Sequence, residues 1–361
     1  MSRSSRKWLP AIVVPALVVG GIALVPLSAG ASVDLPDKTA DEVLQLIASS
    51  TEDSFSGTVE KNADLGLPTL PEGMPGAGET IGSAFEMLSG SHEARVFVNG
   101  SENVRVQITD QLAERNAILN ATDAWLYDSE TNVATHVAIP ADARDAMRDK
   151  VTDAAGAVTP AELAERFLNE LGPSTSFSVG TDATVAGRTV YELVLTPKAS
   201  DTLAESVSIA VDSETGLPLQ VSVHADGQED AAFSVGFTSI DLAEPSADLF
   251  TFAPGDGVTV EEKPFPSAPS DTDYSDKRSE DVDPGEKPRV IGTGWDAIVE
   301  VSMRTAGGDA EADPLLDQLT TKVDGGRVFS TTLVTVLLTD DGRVLAGSVP
   351  LERLQAAAAE G

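Results

Sequence analysis

Between residues 184 and 254 the chain alternates apolar and polar side chains in four short runs. Turn-forming residues such as Asp212–Gly216 separate the runs, and this combination predicts four β-strands. Because alternation places the apolar side chains of a strand on one side, and because the connections are short, we expect an antiparallel meander packed on one face. The apolar positions of the four strands are Tyr191, Leu193 and Leu195; Val207, Ile209 and Val211; Leu219, Val221 and Val223; and Phe233, Val235 and Phe237.

Further strands are predicted upstream. A first strand starts at Phe55, and alternation indicates strands at His92–Val98 and Val104–Ile108, joined by the hairpin dipeptide Asn99-Gly100. Three short strands follow, around Asn116–Leu119, Ala124–Tyr127 and Val133–Ile139.

Two capping boxes mark helices between the groups of strands. The first, Thr39 to Glu42, opens a helix over about residues 40–50, and the second, Thr159 to Glu162, opens a helix over about 160–171. A parallel sheet would alternate strands and helices strictly, and this chain does not. Residues 33–260 are therefore predicted to form one α+β domain, in which both helices lie on the concave side of a curved, mainly antiparallel sheet.

The remaining chain divides by composition. Residues 261–289 hold five prolines and nine acidic residues, which predicts an acidic, disordered linker. Residues 290–361 form a small module that has too little core to be stable alone, so we expect it to dock on the main sheet. Its predicted elements are a strand or helix start at Trp295–Met303, a short helix at Pro314–Val323, a hairpin of Phe329–Leu338 with Val344–Val349, and a helix at Leu351–Ala359.

Residues 1–31 resemble a secretory leader. Arg3, Arg6 and Lys7 precede an apolar run from Trp8 to Leu27, and an A-x-A cleavage pattern ends at Ala31. The apolar run is long for a signal peptide and borderline for a membrane span. Two alternatives stay open, a cleaved signal peptide and a retained anchor that brings the protein to the membrane. Both place the rest of the chain outside the cytoplasm, as a secreted or envelope protein.

Charge and cysteine content exclude several classes of function. The formal net charge is −34, and without the leader 21 basic and 58 acidic residues give −37. Such a surface does not suit nucleic acid or anionic lipid surfaces, because basic patches supply most of the affinity there. The chain has no cysteine, so it has no disulfide, no thiol nucleophile and no lipid-modified cysteine.

No motif in the sequence predicts catalysis, a cofactor or a metal. The glycines at 76–82 miss the dinucleotide-binding spacing, and the segment starting at Asp271 fails as a calcium loop because Asp276 replaces the required glycine. The three histidines, His92, His136 and His224, are isolated in sequence, and we interpret them as structural. We therefore expect neither an enzyme nor a bound cofactor or metal ion.

Several strand and turn motifs resemble the LolA-like family of lipoprotein and lipid carriers, in its actinobacterial branch. They are Trp125-Leu126-Tyr127-Asp128, Val185-Ala186-Gly187-Arg188 with Tyr191-Glu192-Leu193, Val211-Asp212 with Gly216-Leu217-Pro218, and Phe250-Thr251-Phe252. The resemblance implies a strongly curved antiparallel half-barrel, with helices on its concave face and an apolar cavity that takes acyl chains. The glycine- and proline-rich residues 64–82 would then be a loop over the mouth of the cavity.

On this basis the protein is expected to bind a lipid or an acylated protein as a carrier or chaperone. The alternative, also implied by the resemblance, is a regulatory module of the sigma-factor-regulator type that senses or binds another envelope protein. A third interpretation is that the helices fill the concavity completely and leave an ordinary core. The residues expected to line the cavity are Trp125, Tyr127, Leu193, Leu195, Ile209, Val211, Val223, Phe233 and Phe237.

Overall fold

The computed structural model describes two β-sheets and two α-helices. The described residues are 35–67, 90–100, 102–109, 113–140, 174–265, 288–302 and 319–360. The predicted leader, the predicted helix at 160–171, most of the 64–82 loop and most of the linker lie outside these ranges.

The first part of the chain builds one large sheet together with helix α1. The bounds are α1 Ala40–Ala48, β1 Ser54–Ala63, β2 Gly90–Asn99, β3 Asn103–Thr109, β4 Glu114–Leu119, β5 Asp123–Asp128, β6 Val133–Ala138, β7 Thr175–Val179, β8 Ala183–Val185, β9 Arg188–Pro197, β10 Ala204–Asp212, β11 Pro218–Ala225, β12 Ala231–Asp241 and β13 Thr259–Glu262.

The large sheet is open, curved and antiparallel apart from one edge. Its order is β13-β6-β5-β4-β3-β2-β1-β12-β11-β10-β9-β7, with β8 also pairing with β9. Every pair is antiparallel except β13 with β6. The predicted α+β half-barrel is confirmed, since consecutive hairpins on both sides of the β1–β12 pair keep sequence neighbours adjacent in the sheet.

Helix α1 begins where the capping box predicts. The Oγ1 atom of Thr39 accepts the backbone N–H of Glu42 at 3.3 Å, and a Glu42 carboxylate oxygen accepts the Thr39 N–H at 2.7 Å. These two bonds satisfy backbone donors that a helix start would otherwise leave without partners.

The predicted linker boundary at residue 261 is wrong. Glu261 and Glu262 belong to β13, which adds to the edge of the large sheet beside β6. Acidic composition suggested a linker, but backbone pairing to β6 holds these residues, and the Lys263 N–H donates to the His136 carbonyl oxygen at 2.8 Å.

The C-terminal residues form a second, six-stranded sheet in the order β14-β15-β19-β18-β17-β16. Its elements are β14 Arg289–Ile291, β15 Ile298–Ser302, β16 Thr321–Val323, β17 Gly326–Ser330, β18 Thr335–Thr339, β19 Arg343–Gly347 and α2 Leu351–Glu360. The final helix and the β18–β19 hairpin agree with the prediction. Helix α2 buries Leu354 and Ala357 against Leu337 and Leu345 of this sheet.

Two predictions for this module are wrong. The run Phe329–Leu338 is not one strand, because the Thr331 N–H donates to the Val334 carbonyl oxygen at 2.8 Å and closes a turn between β17 and β18. The end of the predicted helix, Thr321–Val323, is strand β16, paired with β17.

The small sheet contacts the large one, as expected for a module with a limited core. The indole N–H of Trp295 donates to Thr175 Oγ1 of β7 at 2.7 Å, and the ring packs against the cluster under α1. Two backbone bonds add to this contact, from the Leu203 N–H to Ser348 at 2.9 Å and from the Thr332 N–H to Leu65 at 3.0 Å.

Candidate ligand-binding face

Helix α1 packs on one side of the large sheet, and we call this side the inner face. Residues paired across antiparallel strands point to the same side, so the pairing can be followed along the sheet. Leu193 of β9 pairs with Ile209, Ile209 with Val221, and Val221 with Val235 of β12. The predicted stripes of β9 to β12 therefore form one continuous apolar surface.

Helix α1 covers the inner face at β9 and β10. Its Val43 and Leu44 share a buried cluster with the sheet. Three of the predicted lining residues, Leu193, Leu195 and Val211, are only 1%, 3% and 0% exposed in this cluster. They form core beneath the helix, whereas Ile209 lies half-buried against the same cluster.

A second cluster continues the inner face across β11, β12, β1 and β2. Phe233 and Phe237 are buried in it, and the half-buried Val223 packs against it. The rings of Phe237 and Phe55 meet edge to face, with centroids 5.8 Å apart. Seven of the nine predicted residues thus share one face, although they divide between two clusters.

Trp125 and Tyr127 lie on the opposite side of the sheet, which we call the outer face. Val96 on the inner face pairs with Val106, Val106 with Ala117, and Ala117 with Leu126. Leu126 therefore points inward, and its two neighbours point outward. The expectation that they line the concave side is wrong because Trp125, Leu126 and Tyr127 are all apolar, so the sequence does not reveal which of them face the interior.

The segment that follows β12 covers these two aromatic residues. Residues 242–258, which we call the strap, return across the outer face from the centre of the sheet to its β6 edge. Phe252 of the strap packs against Trp125 at 5.1 Å and Tyr127 at 5.6 Å between ring centroids. Hydrogen bonds also hold the strap, from Asn99 to Glu244, Arg105 to Leu249, Asn120 to Phe250 and Asn132 to Gly257.

His136 of β6 contacts strand β13, which follows the strap. Its Nε2 lies 2.8 Å from Asp123 Oδ1, its Nδ1 lies 2.8 Å from Glu262 Oε2 of β13, and Trp125 stacks on its ring. The hydrogen bond to Asp123 raises the pKa of His136, burial opposes this effect, and the bond to Glu262 raises the pKa further. The imidazolium form thus holds β13 against the sheet.

The inner face continues beyond the two clusters as a partly exposed apolar surface on β3 to β5, which we call the open patch. Leu126 is 60% exposed and stands at its end. The half-buried members on β3 and β4 are Val104, Val106, Ile108, Ala117 and Leu119. Exposed apolar surface of this kind is a common sign of a binding site.

The two pockets described lie away from this surface. A groove of about 520 Å³ runs between the start of α1 and β7, and it is lined by Thr39, Asp41, Phe177 and Lys198 among others. A smaller one of about 160 Å³ lies near Thr202. None of the nine predicted lining residues borders either of these two pockets, whereas Phe177, which lines the groove, pairs with Leu195 on the inner face.

Among residues 35–67 and the later described ranges, no three His, Cys, Asp or Glu side chains are grouped as a metal site would need. No helix in the described part of the chain has both the length and the apolar composition to cross a membrane.

Sequence reasoning missed the apolar end of the inner face and its basic side chains. Ala117, Leu119 and Leu126 were not recognised because Ile118 and Trp125, their neighbours, are equally apolar. Lys61 and His92 pair with each other on the inner face, at the end of the row that starts at Leu193. One of these residues has an odd number and the other an even number, so only the register between β1 and β2 shows that they share a face.

No protein-family model matches the chain, and no curated protein matches it significantly. Among solved structures, the complex of MucA and MucB from Pseudomonas aeruginosa matches 88% of this chain and 96% of its own, at 17% identity and a TM-score of 0.42. An uncharacterised conserved protein from Thermus thermophilus matches 62% of this chain and 99% of its own, at 10% identity and a TM-score of 0.34.

A LolA superfamily protein from Nitrosomonas europaea matches 60% of this chain and 99% of its own, at 13% identity and a TM-score of 0.22. All three TM-scores are below 0.5. The description of the fold therefore rests on the strand order and register of this chain.

Proposed function

We propose that this protein binds acyl chains, of lipids or of acylated proteins, on the inner face and carries or shields them outside the cytoplasm. The observation that supports this most is the continuous apolar surface of one sheet, which α1 covers at β9 and β10 and which is half-exposed on β3 to β5. The proposed role is binding without catalysis. The basic start and the cleavage pattern of the leader support an envelope or secreted location.

The free energy of transferring an acyl chain from lipid to water indicates how much apolar contact a carrier must provide. Moving one methylene group from lipid into water costs about 0.8 kcal/mol, so an acyl chain of about 14 carbons represents roughly 11 kcal/mol. A soluble carrier must offset most of this free energy through contacts between the acyl chain and apolar side chains. The open patch offers such side chains, and Leu126, which is 60% exposed, has most apolar surface left to bury.

A substitution in the open patch tests the proposal. Leu126→Asp should weaken binding of a fluorescent fatty acid at least tenfold, because it places a charge where the chain would lie. Its stability to urea should change by less than about 0.5 kcal/mol, since the side chain is exposed. Val334→Asp is the matched control, because Val334 is an exposed apolar residue, 40% accessible, in the turn between β17 and β18.

Lipid extraction and native mass spectrometry of the purified wild-type protein complete the test. Bound lipid, with saturable probe binding that only Leu126→Asp weakens, is the expected result. If the folded wild type binds no probe and releases no lipid on denaturation, the carrier function is wrong.

A second candidate is recognition of another envelope protein. The exposure of the open patch favours it, because Leu126 is 60% exposed at the end of this apolar surface. A protein segment could cover such a sheet as well as a lipid could. Lipid-free protein that binds a defined envelope protein but no acyl probe would support this function over the first.

A further inference from the structure

Strand β7 forms the edge of the large sheet opposite β13, and in the described part of the chain it pairs only with β9. The Ser174 carbonyl oxygen accepts the Lys198 N–H at 2.8 Å, so the even-numbered residues of this strand bond to β9. In an antiparallel pair, the residues between them turn their backbone groups away from the neighbouring strand. The N–H and C=O groups of Phe177 and Val179 therefore point to the open side of β7.

The open edge of β7 carries no charged residue. The strands at the other three ends of the two sheets each contain at least one, which are Glu261 and Glu262 in β13, Arg289 in β14 and Lys322 in β16. Charged side chains at a sheet edge discourage pairing with another chain. β7 reads Thr-Ser-Phe-Ser-Val, and its threonine, phenylalanine and valine favour strand pairing. Among these four end strands, β7 is the one suited to accept a further strand.

A groove beside β7 has room for a side chain of such a strand. Phe177 pairs with Leu195, so its half-buried ring points to the inner face. There it lines the groove of about 520 Å³, across from Thr39 and Asp41 at the start of α1. A residue opposite Phe177 on an added strand would point to the same side, with its Cβ atom about 5 Å away. Its side chain would enter the groove and contact the ring.

Contacts at both ends limit the open edge to the centre of β7. At one end, the indole N–H of Trp295 donates to Thr175 Oγ1 at 2.7 Å, and Thr175 is only 2% exposed. Beyond the other end, the Leu35 N–H donates to Asp182 Oδ2 at 2.9 Å. The two residues with outward backbone groups lie between these contacts. A short extended segment fits this length, and it could form about four backbone hydrogen bonds there.

We propose that β7 binds an extended segment of another protein, which adds to the large sheet as one more antiparallel strand. Backbone hydrogen bonds hold the segment, and an apolar side chain opposite Phe177 enters the groove. The net charge of −34 disfavours a second copy of this chain and favours a segment that carries basic residues. Because β7 is remote from the open patch on β3 to β5, this binding does not depend on the proposed binding of acyl chains.

Fluorescence anisotropy with a short synthetic peptide tests the proposal. The peptide alternates threonine and valine and has a lysine at each end, and wild type should bind it saturably. In an antiparallel strand whose valines face the groove, the valine N–H groups point to β7 and the threonine N–H groups point away. N-methylation of the valines should therefore weaken binding at least about tenfold, whereas N-methylation of the threonines should leave it unchanged.

Val179→Pro removes one outward N–H from the protein. Because this N–H points away from β9, proline breaks no bond of the sheet there, and peptide binding should weaken at least about tenfold. Val260→Pro, at the opposite edge, is the matched control. The Thr259 N–H donates to Asn132 of the turn before β6 at 3.0 Å, so the N–H of Val260, the next residue, also points outward. This variant should bind the peptide like wild type, and both variants should keep any binding of the acyl probe.

The outcomes separate strand addition from acyl binding and from self-association. No saturable binding to folded wild type up to about 1 mM peptide would overturn the proposal, whether or not the protein binds acyl chains. Equal binding of the two methylated peptides, or unchanged binding by folded Val179→Pro, would also overturn it. Weaker binding of the threonine-methylated peptide alone would overturn the antiparallel direction in favour of a parallel strand. A wild-type dimer in sedimentation that only Val179→Pro converts to a monomer would show that a second copy occupies β7 instead. If Val179→Pro does not fold, the two methylated peptides decide the matter.

Discussion

The motif residues Arg188 and Asp212 contact each other across β9 and β10. Arg188 donates from Nε to Asp212 Oδ2 at 2.6 Å and from Nη2 to Oδ1 at 3.0 Å. Asp212 is 1% exposed and also accepts the N–H groups of Glu214 and Thr215 at the turn. Burial alone would raise the pKa of Asp212, but the hydrogen bonds from Arg188 and Thr215 lower it overall.

Loss of the arginine should therefore destabilise the protein through the carboxylate left behind. We expect Arg188→Met to lower the free energy of unfolding by about 3 kcal/mol at pH 7, measured in urea. Because the folded pKa of Asp212 is lowered, the wild-type advantage is present above about pH 4 and is lost as the pH falls through that pKa.

Arg289→Met provides the comparison for this variant. Arg289 is more than half exposed and makes a single contact to Glu300 at 3.5 Å, so its loss should cost under about 1 kcal/mol. Equal losses in the two variants would contradict the role assigned to the buried pair.

At the level of elements, β13 shows where composition is a poor guide. Residues 259–262 read Thr-Val-Glu-Glu, and two acidic residues at the start of a proline-rich segment predict a linker. The strand forms because β6 offers a free edge and because His136 contacts Glu262 at 2.8 Å. Neither partner is near β13 in sequence, so single-sequence reasoning had no means to find the pairing.

The contact between His136 and Glu262 predicts that the pairing of β13 with the edge strand β6 depends on pH. The folded pKa of His136 is raised, so its stabilisation of β13 is complete below about pH 6.5 and is lost as the pH rises through the folded value. The Lys263 amide, which bonds to the His136 carbonyl oxygen, should then exchange faster with solvent. Hydrogen exchange followed by NMR, corrected for the intrinsic effect of pH, measures this change.

His136→Gln serves as the reference, because glutamine keeps hydrogen-bonding capacity and does not titrate in this range. Its corrected exchange at Lys263 should not depend on pH between 6 and 8, a range set by the ordinary histidine pKa. If the exchange rate of the Lys263 amide depends on pH as it does in wild type, a group other than His136 controls the pairing of β13 with β6.

At the scale of the whole molecule, the antiparallel architecture and the shared face of the apolar residues of β9 to β12 were predictable, whereas the facing of β5 was not. Period-two alternation identified nearly every strand from β1 to β12, and short connections implied hairpins. The same alternation cannot define a face where consecutive residues are all apolar, as at Trp125, Leu126 and Tyr127. The basic pair of Lys61 and His92 escaped notice for a related reason, since it exists only in the register between β1 and β2.

The strap across the outer face has a consequence for kinetics. Its bonds join residues far apart in sequence, 145 positions for Asn99 with Glu244 and 144 for Arg105 with Leu249. It can close only on strands that have already assembled, so its contacts should be absent from the folding transition state.

Phe252→Ala should accordingly leave the refolding rate within about twofold and accelerate unfolding in stopped-flow experiments. A refolding rate that falls in proportion to the lost stability would place the strap in the folding nucleus instead. Late closure means that the strap determines how long the folded molecule survives, through the unfolding rate, rather than how fast it forms.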